Sequence, residues 1–142
     1  MTEYTSDIKT IPYTDADIYK VLSDLSKLEQ LKDKVPADKW EKVKDFSCDK
    51  DSVTITVDPV GKVRFLIVDR TSNNTIKFEA EQLPFAFNLW IQLKQVEEQD
   101  TKMKLTVKAD LNMFLKPMVS KPLQEGLNKM AEMLSALPYD KL

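Results

Sequence analysis

Apolar and polar residues trade places along this chain with a period that changes twice. Tyr4 to Ile11 interleaves the two kinds and then meets Pro12, which predicts a strand ending near Ile11. Thr14 with Asp17 three residues later resembles a capping pair. Ile18, Val21, Leu22 and Leu25 follow at helical spacing, so a short amphipathic helix is expected. Ser26 is positioned to cap a second short helix carrying Leu28 and Leu31, with Val35 and Pro36 leading out into a loop. From Trp40 to Asn112 the period becomes two. Val53, Ile55 and Val57 alternate with Ser52, Thr54 and Thr56, and Ile76, Phe78 and Ala80 with Lys77, Glu79 and Glu81. Met103, Leu105, Val107, Ala109 and Leu111 alternate with Lys102, Lys104, Thr106, Lys108 and Asp110, so one face is dry and the other wet. Asp58-Pro59-Val60-Gly61, Ser72-Asn73-Asn74 and Glu97-Glu98-Gln99-Asp100 supply turns between the runs, which read as a meander. The runs from Phe85 to Val96 and from Thr101 to Met113 predict long, twisted, curved strands.

The last segment returns to the helical period. Leu115, Val119, Leu123, Leu127, Met130, Leu134 and Leu137 form one apolar stripe along a helix of roughly 30 Å. Pro122 interrupts it, and an interior proline costs about 3 kcal/mol, so a kink is expected there, or a helix start with Ser120 as its cap. Gly126 costs about 1 kcal/mol relative to alanine, which points to close packing or to space left beside the helix, with packing the preferred reading. The expected class is therefore α+β: a curved antiparallel sheet of about seven strands around a long carboxy-terminal helix, with two short helices after strand 1. One domain over 1–142 is expected.

That element order resembles the START-like, polyketide-cyclase (SRPBCC) helix-grip superfamily, which includes lipid-transfer START domains and the birch-pollen allergen family. The likeness rests on Asp15-Ala16-Asp17-Ile18-Tyr19-Lys20-Val21-Leu22-Ser23-Asp24-Leu25, on Val60-Gly61-Lys62-Val63-Arg64-Phe65 at a hairpin, and on the run from Phe114 to Leu137. The resemblance implies a cavity between sheet and last helix that holds a lipid, sterol, polyketide or similar molecule.

Composition narrows the partners. The chain has 142 residues, 42% hydrophobic and 31% charged, with a net charge of −2, which offers no basic footprint for nucleic acid or an anionic membrane. Cys48 is the single cysteine, so no intramolecular disulfide forms, and no apolar run reaches the length of a signal core or membrane span. A cytoplasmic location without membrane insertion is the expectation. Asn73-Asn74-Thr75 matches a glycosylation sequon and is read as chance.

Catalytic machinery is hard to build from these residues. The chain has no histidine, which excludes Ser-His-Asp and Cys-His arrangements and the commonest zinc sites. Asp15/Asp17, Asp49/Asp51 and Glu97/Glu98 each fall at a turn or helix start, where acids cap and solubilise. Asp49-Lys50-Asp51 opens like a calcium loop but lacks the glycine and distal glutamate, and two glycines cannot make a phosphate loop. Cys48 has no identifiable base. Arg64 is placed outward by its alternation with Val63 and Phe65, and Tyr4, Tyr13 and Tyr19 could offer a hydroxyl at a cavity mouth. No catalytic residue, metal ligand or cofactor is assigned.

The candidate binding set is the inward one: Val57, Phe65, Ile67, Phe78, Phe87, Leu89, Val107, Leu111, Met118, Leu127 and Met130. Two readings stay open, a filled core and a pocket lined by aromatics and methionines. Three functions follow in order: non-catalytic binding or carriage of a small hydrophobic ligand; a protein-interaction module resembling chaperone-ATPase activators, with a homodimer through Leu66, Val68 and Trp90; and a cyclase-like enzyme, which a buried Glu79 or Asp69 would favour.

Overall fold

The computed structural model describes residues 2–32, 44–57, 61–81, 83, 85–137 and 139, with side chains for these except 28, 29, 31, 32, 44–46, 55–57 and 61. The expected loop at Val35 and Pro36, the start of the sheet at Trp40, the turn residues Asp58 to Val60 and the side chains of Leu28, Leu31 and Val57 lie outside that description.

The amino-terminal strand is broken into β1 (Thr2–Thr5) and β2 (Lys9–Ile11), both antiparallel to one later strand. Ser6 sits at the break. Its backbone N–H donates to the Leu105 carbonyl at 2.8 Å, and its hydroxyl accepts the Leu105 N–H at 2.9 Å, so a side chain stands in for a ladder acceptor. The displaced Ile8 turns outward into solvent.

Helix α1 (Asp15–Leu22) starts as its sequence expects, with the Thr14 hydroxyl accepting the Asp17 N–H at 3.2 Å and Asp15 and Asp17 in the first turn. Ile18, Val21 and Leu22 are its buried face. Helix α2 (Leu25–Lys32) departs from expectation: Asp24, not Ser26, is the cap. The Asp24 carboxylate accepts both the Ser26 N–H, at 3.2 Å, and the Ser26 hydroxyl, at 2.5 Å. A carboxylate is the stronger acceptor, and the earlier start buries Leu25 in the core.

Six strands follow: β3 (Lys44–Cys48), β4 (Ser52–Val57), β5 (Gly61–Thr71), β6 (Thr75–Glu81), β7 (Phe87–Glu97) and β8 (Asp100–Ala109). The sheet order is β1-β8-β7-β6-β5-β4-β3, with β2 also on β8, so eight strands form one open antiparallel sheet. Register keeps one face apolar: Phe65 opposes Ala80, Ile67 opposes Phe78, Phe78 opposes Leu89, and Leu89 opposes Val107. Besides an irregularity of β3 between Lys44 and Ser47, two bulges disturb it, one between Ile67 and Asp69 and one between Gln95 and Glu97. Each ejects a valine, Val68 and Val96, into solvent, and each bends its strand. Past the first bulge the facing swaps, so Arg70 opposes the buried Ile76.

Helix α3 (Leu115–Ser135) closes the fold and lies over β1, β2 and β8. Asn112 caps it, its side-chain oxygen accepting the N–H groups of Phe114 (2.9 Å) and Leu115 (2.8 Å). The expected start at Ser120 is not used. Ser120 lies within the helix, its hydroxyl donates back to the Lys116 carbonyl, and Pro122 also lies inside.

Candidate functional site

Three stripes run along α3. At about 100° per residue, Leu127, Ala131 and Leu134 share the line that is buried against the sheet. Ser120, Gln124 and Asn128, four residues apart, step from that line out to one side, and each is tied to β1 or to the residues just after it. The Tyr4 hydroxyl lies 2.6 Å from the Ser120 oxygen, Gln124 donates to the Thr5 carbonyl at 2.7 Å, and Asn128 accepts the Asp7 N–H at 3.0 Å. On the other side stand Leu123, Met130 and Met133, half-buried and apolar. The polar stripe ties the helix to the amino-terminal flank of the sheet, and the helix packs on β1, β2 and β8.

Aromatic side chains stand at inner positions of β5, β6 and β7. Phe65 and Phe78 are buried, while Phe87 is half-exposed and meets Phe65 edge to face, with centroids 5.9 Å apart. Leu83 and Phe85, between β6 and β7, and Leu111, past the end of β8, are also half-exposed. The Asp110 N–H donates to the Ala86 carbonyl at 2.9 Å and joins these two segments. These apolar residues pack against the core from its margin, and Met113, Phe114 and Met118 stand 91%, 83% and 71% exposed.

Of the residues expected to face inward, Phe65, Ile67, Phe78, Leu89, Val107 and Leu127 meet in one buried cluster, with Phe87, Leu111 and Met130 at its margin. Met118 is a correction. It precedes Leu127 by nine residues, a half-turn in phase, and so points into solvent. Leu123, Ala80 and Phe85 belong to the margin but were not in the expected set. Leu123 carried the signal of the helical stripe, and Ala80 that of the β6 alternation.

The polar candidates are occupied by structure. Arg64 faces outward, 2.9 Å from Glu81 and 3.9 Å from Asp49. The hydrogen bond to Glu81 is the main cause raising the already high pKa of its guanidinium. Arg70 reaches the Ser23 carbonyl at 3.0 Å and Asp51 at 2.6 Å, pinning the end of α1 to the turn between β3 and β4. Asp49 shapes that turn by accepting the N–H groups of Asp51 and Ser52. The Ser52 hydroxyl first, then the Asp51 N–H, hold its carboxyl below the usual range. Glu79 and Asp69 are both exposed, and Cys48 is half-buried against the core. Among the described residues no group of acids and cysteine could hold a metal ion, and no helix is long and apolar enough to cross a membrane.

The architecture is the START-like, helix-grip fold. No protein-family model matches the chain, and no curated relative matches it. Solved structures do. A START superfamily protein from Mycobacterium smegmatis aligns with TM-score 0.68 at 14% identity over 94% of each chain. Norcoclaurine synthase from Thalictrum flavum, in complex with dopamine and hydroxybenzaldehyde, gives 0.64 at 18% identity over 94% of this chain and 85% of that one. The Aha1 dimer from Colwellia psychrerythraea gives 0.55 at 19% identity over 90% and 97%. At these identities the likeness is one of fold.

Proposed function

We propose that this chain binds and carries a small hydrophobic molecule, without transforming it, between the inner face of the sheet and α3. The observation behind it is the half-buried apolar margin: Phe87 on β7, Leu111 past the end of β8, and Leu123 and Met130 on α3 pack against the buried cluster without being enclosed by it. The exposed Met113 and Phe114 beside it suit an entry end. Contact is apolar throughout, so affinity would grow with buried hydrocarbon, about 0.8 kcal/mol per methylene, and discrimination between chain lengths would be weak. Both acids that would favour a cyclase-like enzyme, Glu79 and Asp69, stand on the exposed side, which ranks that reading below carriage.

Native mass spectrometry after gentle purification, with titration of fatty acids and sterols, tests the proposal together with Met130→Trp. A carrier gives mass adducts that the substitution abolishes, with the variant as stable as the parent. An empty panel, combined with an overpacking penalty of about 1–3 kcal/mol in the variant, sinks it.

A second reading, a protein-interaction module, draws support from Trp90, a half-buried aromatic on the outer face of β7. Lys77 and Glu79 of β6 lie between Leu66 and Trp90, so a homodimer through Leu66, Val68 and Trp90 would enclose charged groups. Light scattering of the parent and of Trp90→Lys decides that case, because a monomer mass in both removes it.

A further inference from the structure

The outer face carries its charge unevenly. Register places Asn88, Trp90, Gln92 and Lys94 of β7 outward, opposite Lys108, Thr106, Lys104 and Lys102 of β8. Half of those positions are lysines and none is acidic. Lys77 of β6 adds a fifth ammonium opposite Trp90. Lys77 and Lys108 sit 5.4 and 5.7 Å from the centre of the Trp90 ring. Lys102 has Asp100 at 3.5 Å and Thr10 at 2.6 Å, but among the described residues Lys77, Lys94, Lys104 and Lys108 make no ion pair. Lys94 and Lys102 even stand directly opposite one another, an arrangement that opposes folding. Glu3 stands opposite Lys108, Asp69 opposite Lys77 and Asp100 beside Lys102, so a chain with net charge −2 gathers on two adjacent strands an excess of positive charge centred on Lys94 and Lys104.

We infer that the outer face of β7 and β8 is a docking strip for an extended acidic polypeptide segment lying along the strands over Trp90. The inference rests on the interaction-module reading and gives it a partner chemistry. The strip is narrow: Glu3 opposes Lys108 on one side, and Glu79 opposes Asn88 on the other. Strands about 4.8 Å apart and rising about 3.3 Å per residue make it roughly 10–15 Å wide and 20 Å long, room for about six residues of extended chain. A flat anionic bilayer would press onto the flanking acids. Nucleic acid would want an open aromatic face to stack on, and two lysines crowd the ring of Trp90. A second copy would bring lysines against lysines. A short row of carboxylates meets none of these objections and fits the charge complementarity that steers association.

Fluorescence anisotropy with dye-labelled hexaglutamate at low ionic strength tests it. The parent should bind saturably and lose affinity as salt rises. Lys104→Gln combined with Lys108→Gln should weaken binding by about tenfold or more, while Lys116→Gln combined with Lys121→Gln, on α3, should leave it unchanged. Absence of saturable binding overturns the inference. So does equal weakening by the α3 pair, which would mean diffuse attraction, and so does tighter binding of a thymidine hexanucleotide, which would make the strip a phosphate surface. Fatty-acid uptake measured on the same variants is expected to stay intact, so the carrier proposal stands or falls separately.

Discussion

Ser6 does with a hydroxyl what the backbone cannot do across a break. The Leu105 N–H that it accepts is buried, and no water can replace the lost partner without opening the β8 edge. Ser6→Ala is expected to lower unfolding free energy by about 1–3 kcal/mol in urea titration, and Ser6→Thr by less, because the oxygen is retained. Tyr139 is the second consequential residue. Burial first, and the neighbouring Tyr13 second, push its phenol far above the ordinary value near 10, and its hydroxyl donates to the Leu134 carbonyl at 2.5 Å. The folded state therefore holds this proton more tightly than the unfolded chain. That stability is fully present below about pH 10 and declines as pH rises above it, when the unfolded phenol ionises. Urea midpoints should fall across this alkaline range in the parent and less steeply in Tyr139→Phe. Neither role was legible beforehand. Ser6 lies inside a run that alternates well enough for a continuous strand, and a tyrosine near the end of a chain carries no mark of burial.

At the level of elements, α3 repays attention at Gly126. A methyl group added there would meet nothing within 4 Å, so of the two expectations for this glycine, space rather than close packing is what the helix shows. Gly126→Ala is expected to stabilise the protein by about 1 kcal/mol, read as a raised urea midpoint with unchanged m-value, while leaving ligand uptake intact. Of the two expectations at Pro122, the helix start is not used: Pro122 lies on the exposed side, where water can serve the carbonyl of Met118 that its ring leaves without a donor, so the helix need not begin there. The strands were more legible. Alternation in β6 and β8 assigned faces correctly, and the broken alternation of β5, with apolar residues on successive positions, turns out to be the bulge at Val68. Leu66, ahead of the bulge, keeps its place on the outer face opposite Glu79.

For the molecule as a whole, periodicity named the dry side of each element, and the buried meeting of Phe65, Phe78, Leu89, Val107 and Leu127 follows from it. It was silent on how far apart the dry sides stand. That distance depends on where α3 is moored, and the mooring comes from Tyr4, Gln124 and Asn128, polar groups whose partners lie more than a hundred residues away in sequence. The sheet they help to cover never closes into a barrel, which leaves two rims where backbone groups could template foreign strands. Among the described residues, one rim is β1 followed by β2, four and three residues long with a break between them, and bordered by α3. The other is β3, five residues long, irregular against β4 and bordered by α2. Brief, uneven rims resist zipping onto a neighbour, so a polypeptide that engages this protein is steered away from extending the sheet and onto one of its two faces.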